Sequence, residues 1–498
     1  MPVFLVALWG PMIPSWSQEP RTLTVALESD VKGFDPLQAR VMGIATLTVA
    51  SAFYDTLIDL DDESGVVPRL AESLEASKDG RTWTATLREG VKFHDGTALD
   101  AEAVAYHFKR LLDPGNKCPC RRLIGPIEKV EASDSRTVVF RLAHPWAALP
   151  AVLAEPSVVS LVGSPAAIRA DAKAYHRNPV GTGPYMLAKA TPGVSVVVTR
   201  NPNYWGTLDS NVDRIEFRVL PDQDSRLAAV RAGDVDVAWT VDGRSARRAV
   251  QNAGLAVTRY EGAGARMLVL NTRKAPLDDA RVRQALAHGL DMELIVRSSS
   301  DGEVAPATDP YGPGADIACQ ATAARAYDLQ RARTLLAEYE QPVSLTFLHT
   351  ATPRGREMGQ IVQQYWQQAG VEVKLEAVAQ AELLQRVIKR DFEVSAWRFR
   401  DSRDPDPDVF GLLHSRSPLN VTGYGDLETD GLIMKGRTST DADARRQAYC
   451  TLARRLSVDV PLILTGRNTY FALAGPRVRG TPALRGGFLD VRGLRLGE

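Results

Sequence analysis

The stretch VSLTFLHTATPRGREMGQIVQQYWQQAGVEVKLEAVAQAELLQRVIKRDFEVSAW, Val343–Trp397, decides the fold class. Val343–His349 alternates apolar and polar residues, the two-residue period of a strand. Glu357–Ala369 places Met358, Ile361, Val362, Tyr365, Trp366 and Ala369 on one face, which is helical spacing, and Gly370 is its stop. Val371–Leu375 alternates again. Ala381–Arg390 returns to helical spacing with Leu383, Leu384, Val387 and Ile388 inward, and Asp391–Trp397 is a third strand. A β-α-β-α-β order predicts an open, wound α/β sheet.

The chain before this run reads as β-rich with inserted helices. Thr22–Leu27, Thr82–Leu87, Thr137–Leu142, Ser195–Thr199 and Ile215–Leu220 carry strand patterns. Ala101–Leu112 sets Val104, Phe108, Leu111 and Leu112 on one face, with Asp100 as N-cap and Pro114 beyond the end. Arg226–Ala232 reads as a helix closed by Gly233, followed by a strand over Val235–Trp239. No internal repeat or long linker divides the chain, so two lobes on one continuous chain fit better than separate beads.

The 498 residues hold 60 Lys+Arg against 60 Asp+Glu, a formal charge of zero. That balance disfavours a nucleic-acid binder, which needs excess cations to neutralise phosphates. A hydrophobic content of 44% excludes wholesale disorder. Pro2–Trp16 carries no charge, and small Ser15 and Ser17 precede the polar Gln18-Glu19-Pro20. This reads as a secretory leader cleaved near Ser17, although no basic residue follows Met1. No Cys lies near that point, so a lipid anchor there is not expected. No later stretch reaches the roughly 18–20 apolar residues of a membrane span. The four cysteines are Cys118, Cys120, Cys319 and Cys450. Cys118-Pro-Cys120 reads as too closely spaced for an ordinary bridge. Cys319 with Cys450 is a bridge candidate, balanced against free thiols.

Enzyme signatures are mostly absent: the chain has no HExxH, GxSxG or GxxxxGK[ST]. Gly262-Ala-Gly264 lacks the third glycine of a dinucleotide fingerprint. The seven His are scattered, and His94 sits in a Phe-His-Asp-Gly turn. The unusual segment is Arg398–Asp408, RFRDSRDPDPD, directly after the third strand of the wound run. Ligands of open α/β sheets bind in the crevice outside the carboxyl ends of strands, so this loop is a binding-site candidate. A solvated turn is the competing reading. An exported hydrolase or metal-dependent enzyme using Asp401, Asp404, Asp406 and Asp408 is a second functional class, and a chemoreceptor partner a third.

Several stretches together resemble the extracellular solute-binding proteins of the peptide/nickel/opine class, family 5. The most specific is LAESLEASKDGRTWTATLREGVKFHDGTALDAEAVAYHFKRLLDP, Leu70–Pro114. Others are Phe34-Asp35-Pro36, Tyr54-Asp55-Thr56-Leu57, Asn178–Tyr185, Arg200–Trp205 and Asn271–Leu286 with its Arg281-Val282-Arg283-Gln284-Ala285-Leu286.

The resemblance implies a two-lobed periplasmic-binding-protein-like fold (type II, cluster C) with mixed sheets and an extra subdomain in the first lobe. It implies a leader over 1–17, lobe I over 18–265, lobe II over 266–467, and a return to lobe I over 468–498. The crossings fall near Gly262–Asn271 and Gly466–Ala474. It further implies a periplasmic monomer that captures a small solute, such as a peptide, and delivers it to an ABC permease and ATPase. Neither catalysis, a cofactor nor nucleic acid enters that expectation. Within the family, an Asp three residues after a strand-ending Trp takes a peptide's ammonium group. Asp401 matches that Asp, with Asp404-Pro405 beyond it, while Trp397 stands one residue too early. The resemblance thus points to Asp401 as ammonium anchor, with Trp397, Arg400, Asp404 and Arg356 around the ligand. Arg398, Arg400 and Arg403 could neutralise Asp401 or favour an anion, and Arg354 is an alternative to Arg356.

Overall fold

The computed structural model describes residues 19–37, 43–60, 65–118, 120–155, 157, 159–312, 315, 317, 319 and 326–497. The expected leader lies outside the described residues. Fourteen strands make the two larger sheets: β1 (Thr22–Leu27), β2 (Ala71–Ala76), β3 (Thr82–Leu87), β4 (Ile127–Ala132), β5 (Thr137–Leu142), β6 (Tyr185–Thr191), β7 (Ser195–Arg200), β8 (Arg214–Val219), β9 (Val237–Thr240), β10 (Ala256–Leu270), β11 (Ser344–Thr350), β12 (Glu372–Val378), β13 (Val394–Arg398) and β14 (Leu462–Ala474).

Ten of them form one mixed series in the order β12-β11-β13-β10-β14-β9-β1-β8-β7-β6. β11 pairs in parallel with both β12 and β13, as the wound pattern requires. The long strands β10 and β14 run antiparallel from Ala256↔Ala474 to Val269↔Leu462. Their register shifts between Glu261 and Ala265 and again between Ala265 and Met267. On either side of this irregularity the cores are different. Leu23, Val25, Phe217, Trp239, Tyr470 and Ala472 share one apolar cluster. Met267, Val269, Leu348 and Leu462 belong to another, and Leu268, Leu270, Phe347 and Trp366 to a third on the opposite sheet face. Two lobes with separate cores, joined through two crossing strands, follow directly.

The extra subdomain is built on the four-stranded sheet β2-β3-β5-β4. Helix α1 (Ala101–Leu112) starts where Asp100 accepts a hydrogen bond from Ala103 N at 2.8 Å, and it buries Val104, Phe108 and Leu111 against that sheet. The sequence motifs outside it converge on buried Asp55. Its carboxylate accepts from Tyr204 Oη at 3.1 Å, Trp205 Nε1 at 2.9 Å and Arg69 Nη2 at 2.6 Å. A methyl at Gly181 would stand 2.1 Å from the Phe53 carbonyl, so this bend needs glycine for close backbone approach.

Lobe II carries α2 (Pro353–Ala369), which covers one face of β11–β13, and α3 (Gln380–Ile388) on the other. Leu383 and Val387 are buried as expected, but Ile388 is 47% exposed because α3 ends there and turns its last residue outward. Cys319 and Cys450 are bridged. So are Cys118 and Cys120, contrary to the expectation from spacing. Left-handed Lys117 (φ 48°) precedes the pair, whose Cα atoms lie 5.1 Å apart, inside the roughly 4.4–6.8 Å range for a bridge.

Candidate ligand-binding crevice

Ends of strands from both lobes meet at the junction between them. From lobe I come the end of β1, followed by Glu28, and the end of β9, followed by Val241 and Asp242. From lobe II come the end of β13, followed by Phe399–Asp401, and the end of β11, which leads into α2. The lobes touch across it. Arg354 Nη1 donates to the Val241 carbonyl at 3.0 Å, and Glu357 pairs with Arg244 at 2.7 Å.

Asp401 sits at the crossing strands. Its Oδ1 accepts from Gly264 N at 3.1 Å and Asn468 Nδ2 at 2.9 Å; its Oδ2 accepts from Tyr470 Oη. One donor comes from β10 and two from β14, so both crossings position this carboxylate. Burial raises its pKa above the usual carboxylate range, and the three donors only partly offset that. Gly262 makes room: a Cβ there would stand 2.0 Å from Asp401 Oδ1. Gly264 is as tight, with a Cβ 2.4 Å from the Arg400 carbonyl. The Gly262-Ala-Gly264 signal therefore marks close approach of backbone to the Asp401 loop, a role that a search for nucleotide motifs could not reveal. Asn468, which sequence reasoning missed, donates to the Phe399 carbonyl at 2.9 Å as well, and its own Oδ1 is buried without a hydrogen-bond partner.

The rest of the acidic loop is tied to the protein. Arg400 donates to Asp408 through Nε at 2.8 Å and through its backbone N at 2.6 Å. Asp404 is buried against Arg445 at 2.7 Å. Asp406 accepts from Trp146 Nε1 and Arg437 Nη1, each at 2.6 Å, and from Tyr449 Oη at 3.0 Å. Glu155, from the subdomain, accepts from Ser402 Oγ at 2.7 Å and Arg403 N at 2.8 Å. Burial pushes its pKa up to about 7 despite the nearby Arg400. Thus the loop that looked like one acidic cluster is four separate arrangements, of which Asp401 alone stands at the crossing strands. Among the described residues no three His, Cys, Asp or Glu side chains are grouped to hold a metal ion.

Trp397 pairs with Met267 in the β13–β10 ladder and packs beside the cluster containing Met267 and Leu383. Arg398 is its neighbour on the opposite face, paired with Arg266. The one-residue displacement of Trp397 therefore puts an arginine at the position three before Asp401. Arg356 is exposed in the first turn of α2, and Arg354 is the arginine of that turn that reaches lobe I. Burial lowers the Arg266 pKa to about 9, and the guanidiniums of Arg354 and Arg398 push in the same direction.

Two lobes joined by crossing strands, with a carboxylate fixed at the crossing, fit the architecture of a solute-capture protein. Residues 65–418 match the bacterial extracellular solute-binding proteins, family 5, and the chain belongs to that family. It is 30% identical over 480 residues to the glutathione-binding protein GsiB of Pectobacterium atrosepticum, covering 94% of this chain and 92% of that one. GsiB of Escherichia coli K12 is 31% identical over 362 residues, 72% of this chain and 70% of that one. Among solved structures, a dipeptide-binding protein of Pseudoalteromonas sp. SM9913 in complex with Met-Leu superposes with a TM-score of 0.84 at 23% identity, covering 96% and 100% of the two chains. NikA of Brucella suis with Fe(III)-EDTA gives 0.83 at 24% identity and the same coverage. This chain is thus a substrate-binding subunit of an ABC importer. The relatives are binding proteins, and nothing in them supports the hydrolase reading of the acidic loop. Family members are periplasmic and hand their solutes to a permease and ATPase. No helix among the described residues is long and apolar enough to cross a membrane.

Proposed function

We propose that this chain is a periplasmic monomer that captures a peptide-type ligand by its ammonium group at Asp401. The observation that carries the reading is the carboxylate held by Gly264, Asn468 and Tyr470, with the unpartnered Asn468 Oδ1 beside it. A buried carboxylate with a raised pKa gains most from a cationic partner, and an ammonium can donate to both oxygens at once. The register irregularity between Glu261 and Met267 supports lobes spanning 18–265 and 266–467, with 468–498 returning to lobe I. Ligand contacts made from both lobes favour the closed form, and only that difference in affinity shifts the population.

The test is thermal melting and calorimetry with glutathione, Met-Leu and their N-acetylated forms. Free-amine compounds should raise the melting temperature in a concentration-dependent way, N-acetylation should abolish the effect, and Asp401→Asn should do the same. Equal binding of acetylated and free forms would overturn the anchor.

A further inference from the structure

The two disulfides of the chain are unequal. One joins Cys319 to Cys450 across a sequence separation of 131, and the other joins Cys118 to Cys120 across a separation of 2. A disulfide stabilises mainly by removing freedom from the unfolded chain, and more so the longer the loop it closes. The first bridge is therefore a staple, and the second has little to staple. Backbone and side-chain bonds already hold the turn around it. The Cys120 carbonyl accepts from Leu123 N at 2.7 Å and Ile124 N at 3.2 Å, and Asn116 Nδ2 donates to the Arg110 carbonyl at 2.9 Å.

The two sulfurs of the short bridge also stand in different surroundings. Cys118 is partly exposed and follows exposed Lys117. Cys120 is 2% exposed and belongs to the apolar core of the subdomain, with Ile124 and Trp146. The backbone N of Cys120 donates to Cys118 Sγ at 3.2 Å. In sequence, Lys117 precedes the pair and Arg121-Arg122 follows it, whereas neither Cys319 nor Cys450 has a charged neighbour on either side. Nearby cations and an N–H donor favour a thiolate, the form that attacks and leaves in disulfide exchange.

We propose that Cys118-Pro-Cys120 is a thiol–disulfide exchange centre, with Cys118 as the sulfur that meets an external thiol and Cys120 as the resolving sulfur. An external thiolate attacks Cys118 Sγ. A mixed disulfide forms, the bond to Cys120 Sγ breaks, and Cys120 leaves as a thiolate that takes a proton from water. A second external thiolate then attacks the external sulfur, and Cys118 leaves as a thiolate. Two thiols become one disulfide, and the bridge takes up their two electrons. In reverse, the Cys118 thiolate attacks an external disulfide, and Cys120 displaces the adduct to close the bridge.

The experiment uses the full chain, with dithiothreitol and 2-hydroxyethyl disulfide as probes and peptide mass spectrometry as readout. After mild reduction by dithiothreitol, iodoacetamide should label Cys118 about threefold or more faster than free cysteine at pH 6.5. In Cys120→Ser, 2-hydroxyethyl disulfide should leave a stable mixed disulfide on Cys118; in the reduced parent it should restore the bridge without a lasting adduct. Replacing both Cys118 and Cys120 by Ala should move the melting temperature by no more than about 3 °C, against a fall of about 5–10 °C when Cys319 and Cys450 are both replaced. Labelling no faster than free cysteine, or no adduct on Cys118 in Cys120→Ser, would overturn the exchange centre. So would a double alanine variant of the short bridge that fails to fold or loses as much as that of the long one, since the bridge would then be a staple.

Discussion

Replacing Gly262 by Ala sets a methyl carbon 2.0 Å from Asp401 Oδ1 and 2.4 Å from its Cγ. Non-bonded carbon does not approach within 3.0 Å of such atoms, so the carboxylate must retreat by at least about 1 Å. Gly262 has no left-handed φ, so the substitution adds no backbone penalty and the effect is purely steric. A 1 Å retreat lengthens the 3.1 Å and 2.9 Å bonds from Gly264 N and Asn468 Nδ2 beyond useful range. Hydrogen bonds to a charged group contribute about 1.5–3 kcal/mol each. Partial re-formation leaves a net loss of about 3 kcal/mol. At roughly 1–2 °C per kcal/mol for a chain of this length, the melting temperature falls by about 3–6 °C. The control is Gly431→Ala, in the helix Leu427–Thr438, where an added Cβ meets nothing within 4 Å. That variant should melt at or slightly above the parent, because Ala is the better helix former. The assay is differential scanning calorimetry of both variants and the parent, followed by titration with glutathione. A Gly262→Ala protein that melts with the parent and keeps its ligand-induced shift would refute the close packing of Asp401 against the crossing strand.

Glu155 gives a pH-dependent outcome. Its folded pKa of about 7 lies above the ordinary glutamate value of 4.5, so the native state holds more protons between these values and stability falls as pH rises through that window. The full shift corresponds to about 3 kcal/mol. Glu155→Gln should match the parent near pH 4.5 and melt higher at pH 8; a difference that does not vary with pH counts against the assignment. Asp406→Ala strands a buried Arg437 and the Trp146 and Tyr449 donors, and should cost about 3–5 kcal/mol, with Asp406→Asn between it and the parent in thermal melts. Arg244→Ala, by contrast, removes a pair whose side chains are more than a third exposed, and chemical denaturation should detect less than about 1 kcal/mol. Affinity for free-amine ligands should decline in acid, starting above the ordinary Asp range because the Asp401 pKa is raised; calorimetry showing constant affinity down to pH 4 would contradict an ionised anchor.

Local signals in the sequence carried much of the fold. Thr22–Leu27, Thr82–Leu87 and Thr137–Leu142 are strands over the ranges their alternation predicts, and Asp100 caps Ala101–Leu112. Those elements bury one face and so show one period. The wound run was legible for the same reason, although α2 begins at Pro353 rather than Glu357. Its first turn lacks apolar residues, so periodicity could not reach it. The crossing strands were harder. β10 runs through Gly262 and Gly264, which break strand patterns, and their reason for being glycine lies far along the chain: the Asp401 carboxylate for Gly262, and the Phe399 and Arg400 carbonyls for Gly264. Asn468 and Tyr470 meet Asp401 only through pairing of distant strands. The loop Arg398–Asp408 drew notice through composition, but composition could not separate one carboxylate at the crossing from three bound to arginines, two of them supplied by later helices.

That separation bears on how the crevice opens. Trp146 and Glu155 belong to the subdomain of lobe I, yet they contact Asp406, Ser402 and Arg403 of lobe II. Opening must either break these contacts or carry the subdomain along. Breaking them exposes a buried carboxylate–indole bond and rehydrates Glu155, whose pKa then drops toward that of a free carboxyl. On that first route protons are released on opening between about pH 4.5 and 7, and mild acid favours the closed form. A ligand adds to this balance only through contacts made when both lobes face it. Asp401 qualifies through its place beside both crossing strands, and Asp404 does not, because Arg445 already satisfies it. Small-angle scattering of ligand-free protein across this pH range checks the argument. Compaction toward pH 5 that Glu155→Gln reproduces at pH 8 is the expected result. A radius of gyration that ignores pH would mean that the subdomain travels with lobe II.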